Sequence, residues 1–198
     1  MKELTLYEQR IQNRSTLRYL IGLLVRWRNY RKIKKNVIIA RKNGAIIGDE
    51  VVIPRELAKR ANKNLIIGDH VSIQSPNIDL RSPVVIGDNV IIGAGVQIIT
   101  ASHDVDSEEW TYKSYGLVIE NYTWIATNAM ILPSCRKIAH GSVIGAGAVL
   151  SKNTNSMDIV SGNPATFLRK RKCVHENLVV EHLLGGDFNA YRKAWNNR

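Results

Sequence analysis

IENYTWIATNAMILPSCRKIAHGSVIGAGAVL, residues 119–150, sets an aliphatic residue at Ile119, Ile125 and Ile131, and again at Ile138, Ile144 and Leu150. The step within each trio is six. Working outward, Ile86, Ile92 and Ile98 keep the same step, as do Ile47 with Ile53 and Ile67 with Ile73. The units IGDNVI, IGAGVQ, IATNAM, IGAGAV and IGDEVV share one order: an aliphatic residue, a small one, two polar or small ones, then small or aliphatic. An amphipathic helix repeats every 3.6 residues and a half-buried strand every two, so neither fits. A short strand plus a corner does. Three such units close a triangular coil of about 18 residues, and stacked coils make three parallel sheets around an Ile/Val/Leu core. Stacking is obligatory because one coil cannot bury its own apolar edge.

Breaks in the rhythm mark what departs from the coil. After Ile98 the units resume only at Ile119, three and a half steps on instead of one. Residues 104–118 therefore read as a loop thrown out at a corner, and loops of this kind carry function. The step from Ile131 to Ile138 is one place too long and is read as a bulge at Arg136–Lys137. The rhythm is less regular between Ile53 and Ile86 and stops at Asn163-Pro164. Three parts result: a basic helical segment over 1–43, the β-coil over 44–168, and a basic helical tail over 169–198.

Composition narrows the rest. The 198 residues are 44% apolar and 23% charged, which suits a globular chain. Cys135 and Cys173 support neither a disulfide framework nor a zinc finger, and a reducing compartment fits them. The apolar run Leu17–Val25 is shorter than a membrane span and lacks a cleavage site, so a cytoplasmic location is expected. The net charge of +11 divides as +10 over 1–43, −3 over 44–168 and +4 over 169–198. A nucleic-acid surface would interleave basic and aromatic residues over the body, and this body does not. Residues 16–35 read instead as a basic amphipathic helix. Either its Leu/Ile/Val/Trp face packs on the body, or it makes peripheral contact with anionic lipid at the membrane's inner face.

IITASHD (98–104), YTWIATNAMILP (122–133), GSVIGAGAVLSKN (141–153) and IVSGNPATFLRK (159–170) together resemble the hexapeptide-repeat acyltransferases, and sugar or polysaccharide O-acetyltransferases most of all. The resemblance covers roughly residues 44–171. It implies a left-handed parallel β-helix, a homotrimer and acetyl-CoA as co-substrate. The expected reaction is direct acetyl transfer to a hydroxyl of a sugar or polysaccharide unit.

Such a reaction needs a base for the hydroxyl proton, donors for the oxyanion, and a cradle for the coenzyme. Histidine suits the first, because its pKa lies near working pH. His103 ends the last unit before the loop, and the family's catalytic histidine occupies the matching place. Asp104 is a poor orienter of that ring, since neighbours on an extended chain point to opposite sides. By resemblance, Trp124 lies beside the thioester, a backbone amide at Ala126 or Thr127 meets its carbonyl or the pantetheine arm, and Ala146 lines the coenzyme. Lys152 and Arg169 match positions near its phosphates, a sensible task for cations. Asn77 and Asp79 stand in the region that contacts the acceptor sugar. Cys135 reads as a buried small hydrophobe and not as a nucleophile.

Three rivals stand against this reading. A zinc enzyme on this coil needs three converging histidines, which the spacing does not supply, so no metal is expected. A non-catalytic scaffold would not need His103, Trp124 and the GNPA stretch together. Transfer to the amine of an amino sugar stays open, since histidine serves both acceptors.

Overall fold

Each hexad's leading aliphatic points inward and builds one wall of a three-sided stack. The structure, a computed structural model, describes residues 4–198. Wall A holds the strands Ile46–Ile47, Leu65–Ile67, Val84–Ile86, Leu117–Ile119 and Lys137–Ile138. Wall B holds Ser72–Ile73, Ile91–Ile92, Trp124–Ile125, Val143–Ile144 and Asp158–Ser161, and wall C holds Gln97–Ile98, Met130–Ile131 and Val149–Leu150. All pair in parallel within their walls. Ile67, Ile86 and Ile119 of wall A, Ile92, Ile125 and Ile144 of wall B, and Ile98 and Ile131 of wall C are all buried in one continuous core. Fully burying such a side chain stabilises by about 2 kcal/mol.

The coil is longer than three plain hexads. Ile125 lies against Ile144, Ile119 against Ile138 and Ile73 against Ile92, each three hexads and one place further on. The additional residue is therefore a property of the regular coils, and the long step from Ile131 to Ile138 is no isolated bulge. The first turn, Ile47 to Ile67, and the last, Ile144 to Val160, differ in length. Backbone conformation explains the asymmetry. At the corner from A to B the fourth residue of each unit has positive φ: Glu50 51°, His70 54°, Asn89 57°, Tyr122 60° and Gly141 67°. From B to C the same holds for Gly95, Asn128 and Gly147. A left-handed residue reverses direction in little chain, at a cost glycine and asparagine bear most easily. The corner from C to A at residues 132–136 has no such residue and takes one more. There Cys135 turns inward, and Asn153 Oδ1 accepts from the Arg136 and Lys137 amides at 2.8 and 3.0 Å.

The extruded segment is a β-hairpin, Ala101–His103 against Tyr112–Ser114, paired antiparallel. It leaves the corner from C to A three residues earlier than the hydrophobic rhythm alone places it, so His103 stands on the hairpin and not on the coil. The irregular early coil holds a short helix, Arg55–Arg60, between Ile53 and Leu65.

Helices α1 (Leu6–Gln12) and α2 (Thr16–Lys42) precede the coil, and α3 (Phe188–Asn196) ends the chain. Tyr19 of α2 stacks on Tyr191 and Trp195 of α3, with centroids 5.2 and 4.1 Å away. Buried Asp187 joins all three helices: its Oδ2 accepts from Tyr7 at 2.6 Å, His182 at 2.8 Å and Arg26 at 3.0 Å. Burial alone would raise this carboxyl's pKa, but the hydrogen bonds from His182, Tyr7 and Arg26 outweigh it and hold the group down at about 2.

Two expectations do not hold. The face of α2 that packs inward is Tyr19, Leu23, Arg26, Val37 and Ala40; Leu17, Leu20, Ile21, Leu24, Val25 and Trp27 are exposed. The tail also begins as a strand, Thr166–Lys170, antiparallel to Asp158–Ser161. That strand pairs its backbone with an otherwise open edge of wall B and so continues the ladder. Helical turns return only at Val180–Leu184 and α3.

Candidate active site

His103 is exposed at the hairpin, and its Nδ1 lies 2.6 Å from the carbonyl oxygen of Trp110. A carbonyl only accepts, so Nδ1 carries the hydrogen and the Nε2 lone pair is left free. Tyr112 meets the ring edge-on at 5.9 Å and limits its rotation. The hairpin itself is pinned. Lys113 pairs with Asp104 at 2.6 Å, the Asp104 amide donates to the Thr111 carbonyl at 2.9 Å, and the Arg136 guanidinium lies 4.4 Å over Tyr115. Asp104 thus holds the opposite strand and leaves His103 to Trp110.

Asp79 braces the hairpin's root. It accepts from Arg81 Nε at 2.9 Å and Nη2 at 2.9 Å, and from the Thr100 amide at 3.1 Å. Partial burial opposes ionisation here, yet the bonds from Arg81 and Thr100 hold this carboxyl well below the usual carboxylate range. Asn77 lies on the same segment, exposed, with its carbonyl accepting from the Ile98 amide at 3.0 Å.

Trp124 stands on the outer face of wall B, beside Ile91 and Val143 by register, and is 46% exposed. It lines a cavity of about 430 Å³ with Thr127, Gln74, Asn89, Arg171 and His175. Arg171 is fixed by donating to the carbonyls of Tyr122 at 2.9 Å and Gly141 at 3.2 Å. Thr127 turns the next corner, and its N–H has no partner among the described residues. Ala126 is different. It is 8% exposed and its amide donates to the Ile144 carbonyl at 2.9 Å, so it serves the ladder and has no donor left for a ligand.

Ala146 is exposed at the same corner one coil further on, tied to it by the Gly147 amide donating to the Thr127 carbonyl at 2.9 Å. Lys152 is exposed beyond wall C with no ion pair among the described residues; Arg169 is exposed on the tail strand and donates to the Lys170 carbonyl at 3.1 Å. The fold thus groups Trp124, Thr127 and Ala146 along one edge. It sets His103 apart from them, at the corner opposite wall B and outside the Trp124 cavity. Sequence reasoning does not reach Gln74, Asn89, Arg171 and His175. Asn89 carries the positive φ of its corner, while Arg171 and His175 reach the cavity only through the path of the tail, which no hexad reports. Among the described residues no group of three His, Cys, Asp or Glu could hold a metal ion. Burial pushes the Cys135 thiol up to about 11, unsuited to nucleophilic attack.

No family model matches the chain. The colanic acid biosynthesis acetyltransferase WcaF of Escherichia coli K12 is 29% identical over 150 residues, 75% of this chain and 78% of that protein. The acetyltransferase YJL218W of Saccharomyces cerevisiae is 30% identical over 141 residues, 69% of this chain and 71% of that protein. Among solved structures, a galactoside acetyltransferase in complex with coenzyme A superposes with a TM-score of 0.55 at 19% identity, over 86% of this chain and 85% of that one, which shows the shared fold. On its hexad rhythm, its three-walled coil and these relatives together, the chain is an acetyltransferase and belongs to the hexapeptide-repeat family.

Proposed function

We propose that this protein transfers acetyl from acetyl-CoA directly to a hydroxyl of a sugar or polysaccharide unit, with His103 as the general base. The observation that carries the reading is the Nδ1 contact to the Trp110 carbonyl, which fixes the tautomer a base requires. His103 Nε2 takes the hydroxyl proton while that oxygen attacks the thioester carbon. The unpartnered Thr127 amide meets the developing oxyanion. As the oxyanion collapses the C–S bond breaks, and the imidazolium returns its proton to the departing thiolate.

The residues fit the donor. Ala146 and Thr127 give a corner with small or hydroxylic side chains and a free amide, and the Trp124 face is apolar against a pantetheine arm. Lys152 and Arg169 are cations suited to phosphates. The coil is read as left-handed and the assembly as a homotrimer, on the family's pattern. A trimer also answers the geometry: His103 and the Trp124 edge lie apart in one chain, so a neighbouring copy would supply the missing half. Sugar acceptance rests on the names of the relatives, which include a galactoside O-acetyltransferase of Escherichia coli K12.

Thiol release from acetyl-CoA, measured over a panel of mono- and oligosaccharides, tests the reading. Wild type should turn over with at least one sugar. His103→Ala should lose about 10²–10⁴-fold in kcat with the KM for acetyl-CoA little changed. Unchanged turnover in the variant would remove His103 as the base.

A further inference from the structure

We propose that the outward face of α2 is a docking surface for an anionic lipid bilayer, seated by an apolar half and a basic half that follow one another along the helix. Residues 16–42 contain no Asp or Glu. The inward stripe is spent on the rest of the protein, through Tyr19, Arg26 and the Asn36 amide group, which donates to the Ile53 carbonyl at 3.0 Å. What remains outward is ordered. Leu17, Leu20, Ile21 and Leu24, spaced by three and four, form an unpartnered apolar stripe; Leu17 is 69% exposed and Leu24 58%. Trp27 stands at its end. Beyond it Arg28, Arg31, Lys32 and Lys35 project to solvent.

Chemistry picks the occupant. An apolar stripe on a globular surface needs a cover, and tryptophan at the junction of apolar and polar zones is the side chain favoured at a bilayer's interface. Trp27, Arg28, Arg31, Lys32 and Lys35 line a shallow groove of about 310 Å³, and the Arg31 guanidinium lies 4.9 Å over the Trp27 ring. Such a groove suits a phosphate headgroup, with guanidinium and ammonium groups as its donors. Each basic side chain near an anionic surface strengthens association about fivefold. A second copy of the same face is disfavoured, because it would bring no carboxylate to any of these four cations. No helix among the described residues is long and apolar enough to cross a membrane, so the mode is attachment along the surface.

Flotation of the full chain with phosphatidylcholine vesicles, with and without phosphatidylglycerol, tests the inference. The protein should float with anionic vesicles, stay down with neutral ones, and be released by high salt. Leu17→Glu/Leu24→Glu changes only exposed positions, so its circular dichroism and thiol-release activity should match wild type while flotation is lost. Arg28→Ser/Arg31→Ser should weaken anionic binding more than tenfold by the same rule. Three results overturn the proposal: no flotation of wild type, equal flotation on neutral vesicles, or a double-Glu variant that floats normally. A change of assembly mass in that variant with flotation retained would assign the face to contacts between copies instead.

Discussion

Replacing Gly93 with alanine adds one methyl where two coils pass closest beside the candidate donor site. A Cβ built on Gly93 would lie 2.8 Å from the Thr127 amide nitrogen, 3.1 Å from the Ala126 carbonyl carbon and 3.2 Å from the Ile125 oxygen. Ordinary contact begins near 3.4 Å, so the coils must part by about 0.6 Å, and every obstructing atom is backbone. The Gly93 amide already donates to the Ile125 carbonyl at 2.8 Å. Opening the gap by that amount stretches this bond toward its limit. Overpacking costs about 1–3 kcal/mol and the weakened bond about 1 kcal/mol more. For a chain of this size that lowers Tm by about 4–16 °C. Gly147→Ala is the comparison: nothing lies within 4 Å of its Cβ, and only its φ of +66° is strained, worth about 1–2 kcal/mol. Paired melts and acetyl-CoA titrations decide. Gly93→Ala should melt lower than Gly147→Ala and raise the KM for acetyl-CoA, because the Thr127 amide is displaced. Equal melting of the two variants, or a Gly93→Ala enzyme with unaltered KM, would refute the reasoning.

Lys152→Ala and Arg169→Ala should each raise the KM for acetyl-CoA several-fold but leave that for acetyl-pantetheine, which lacks the nucleotide phosphates, unchanged; steady-state kinetics with both donors checks this. Asp187, held at about 2 in the folded chain, is ionised there at pH values where an unfolded carboxyl is protonated. Its stabilisation is therefore complete above the unfolded pKa near 4 and is lost as pH falls toward 2, for a total of about 2–3 kcal/mol. Urea melts of Asp187→Asn should show that deficit at neutral pH and a shrinking one below about pH 4.

The stack was legible because burial falls at fixed places in every hexad, and Ile86, Ile92, Ile98, Ile119, Ile125 and Ile131 all take the inward place the rhythm assigns them. The true length of a coil was less legible. Its additional residue sits at a corner where backbone dihedral angles, not hydrophobicity, set the count. The α2 face misled for a related reason: a basic helix with many aliphatics has two apolar stripes, and the sequence does not say that Tyr19 and Leu23 win the contact with α3. In the candidate site the matched motifs single out His103, Trp124, Thr127 and Ala146, and the fold brings the last three to one edge with His103 at another corner. Ala126 could not be separated from Thr127 in advance, because which of two adjacent amides joins the ladder depends on strand register. Arg171 and His175 depend on how the tail is laid across wall B, a long-range matter that local pattern does not encode.

Where its turns are regular, such a polypeptide behaves like a ruled tape. Because Ile125 and Ile144 differ by one whole turn, excising or duplicating such a turn would return every later aliphatic to the interior, whereas removing a single residue inside a strand would turn the aliphatics beside it toward water. Ile119 lies against Ile86 across the hairpin just as Ile138 lies against Ile119 across a plain turn. The hairpin bearing His103 is therefore an appendix that leaves the winding in phase. Evolution could lengthen, shorten or exchange that appendix without disturbing the column beneath it, so the hairpin is free to diverge while the scaffold stays fixed.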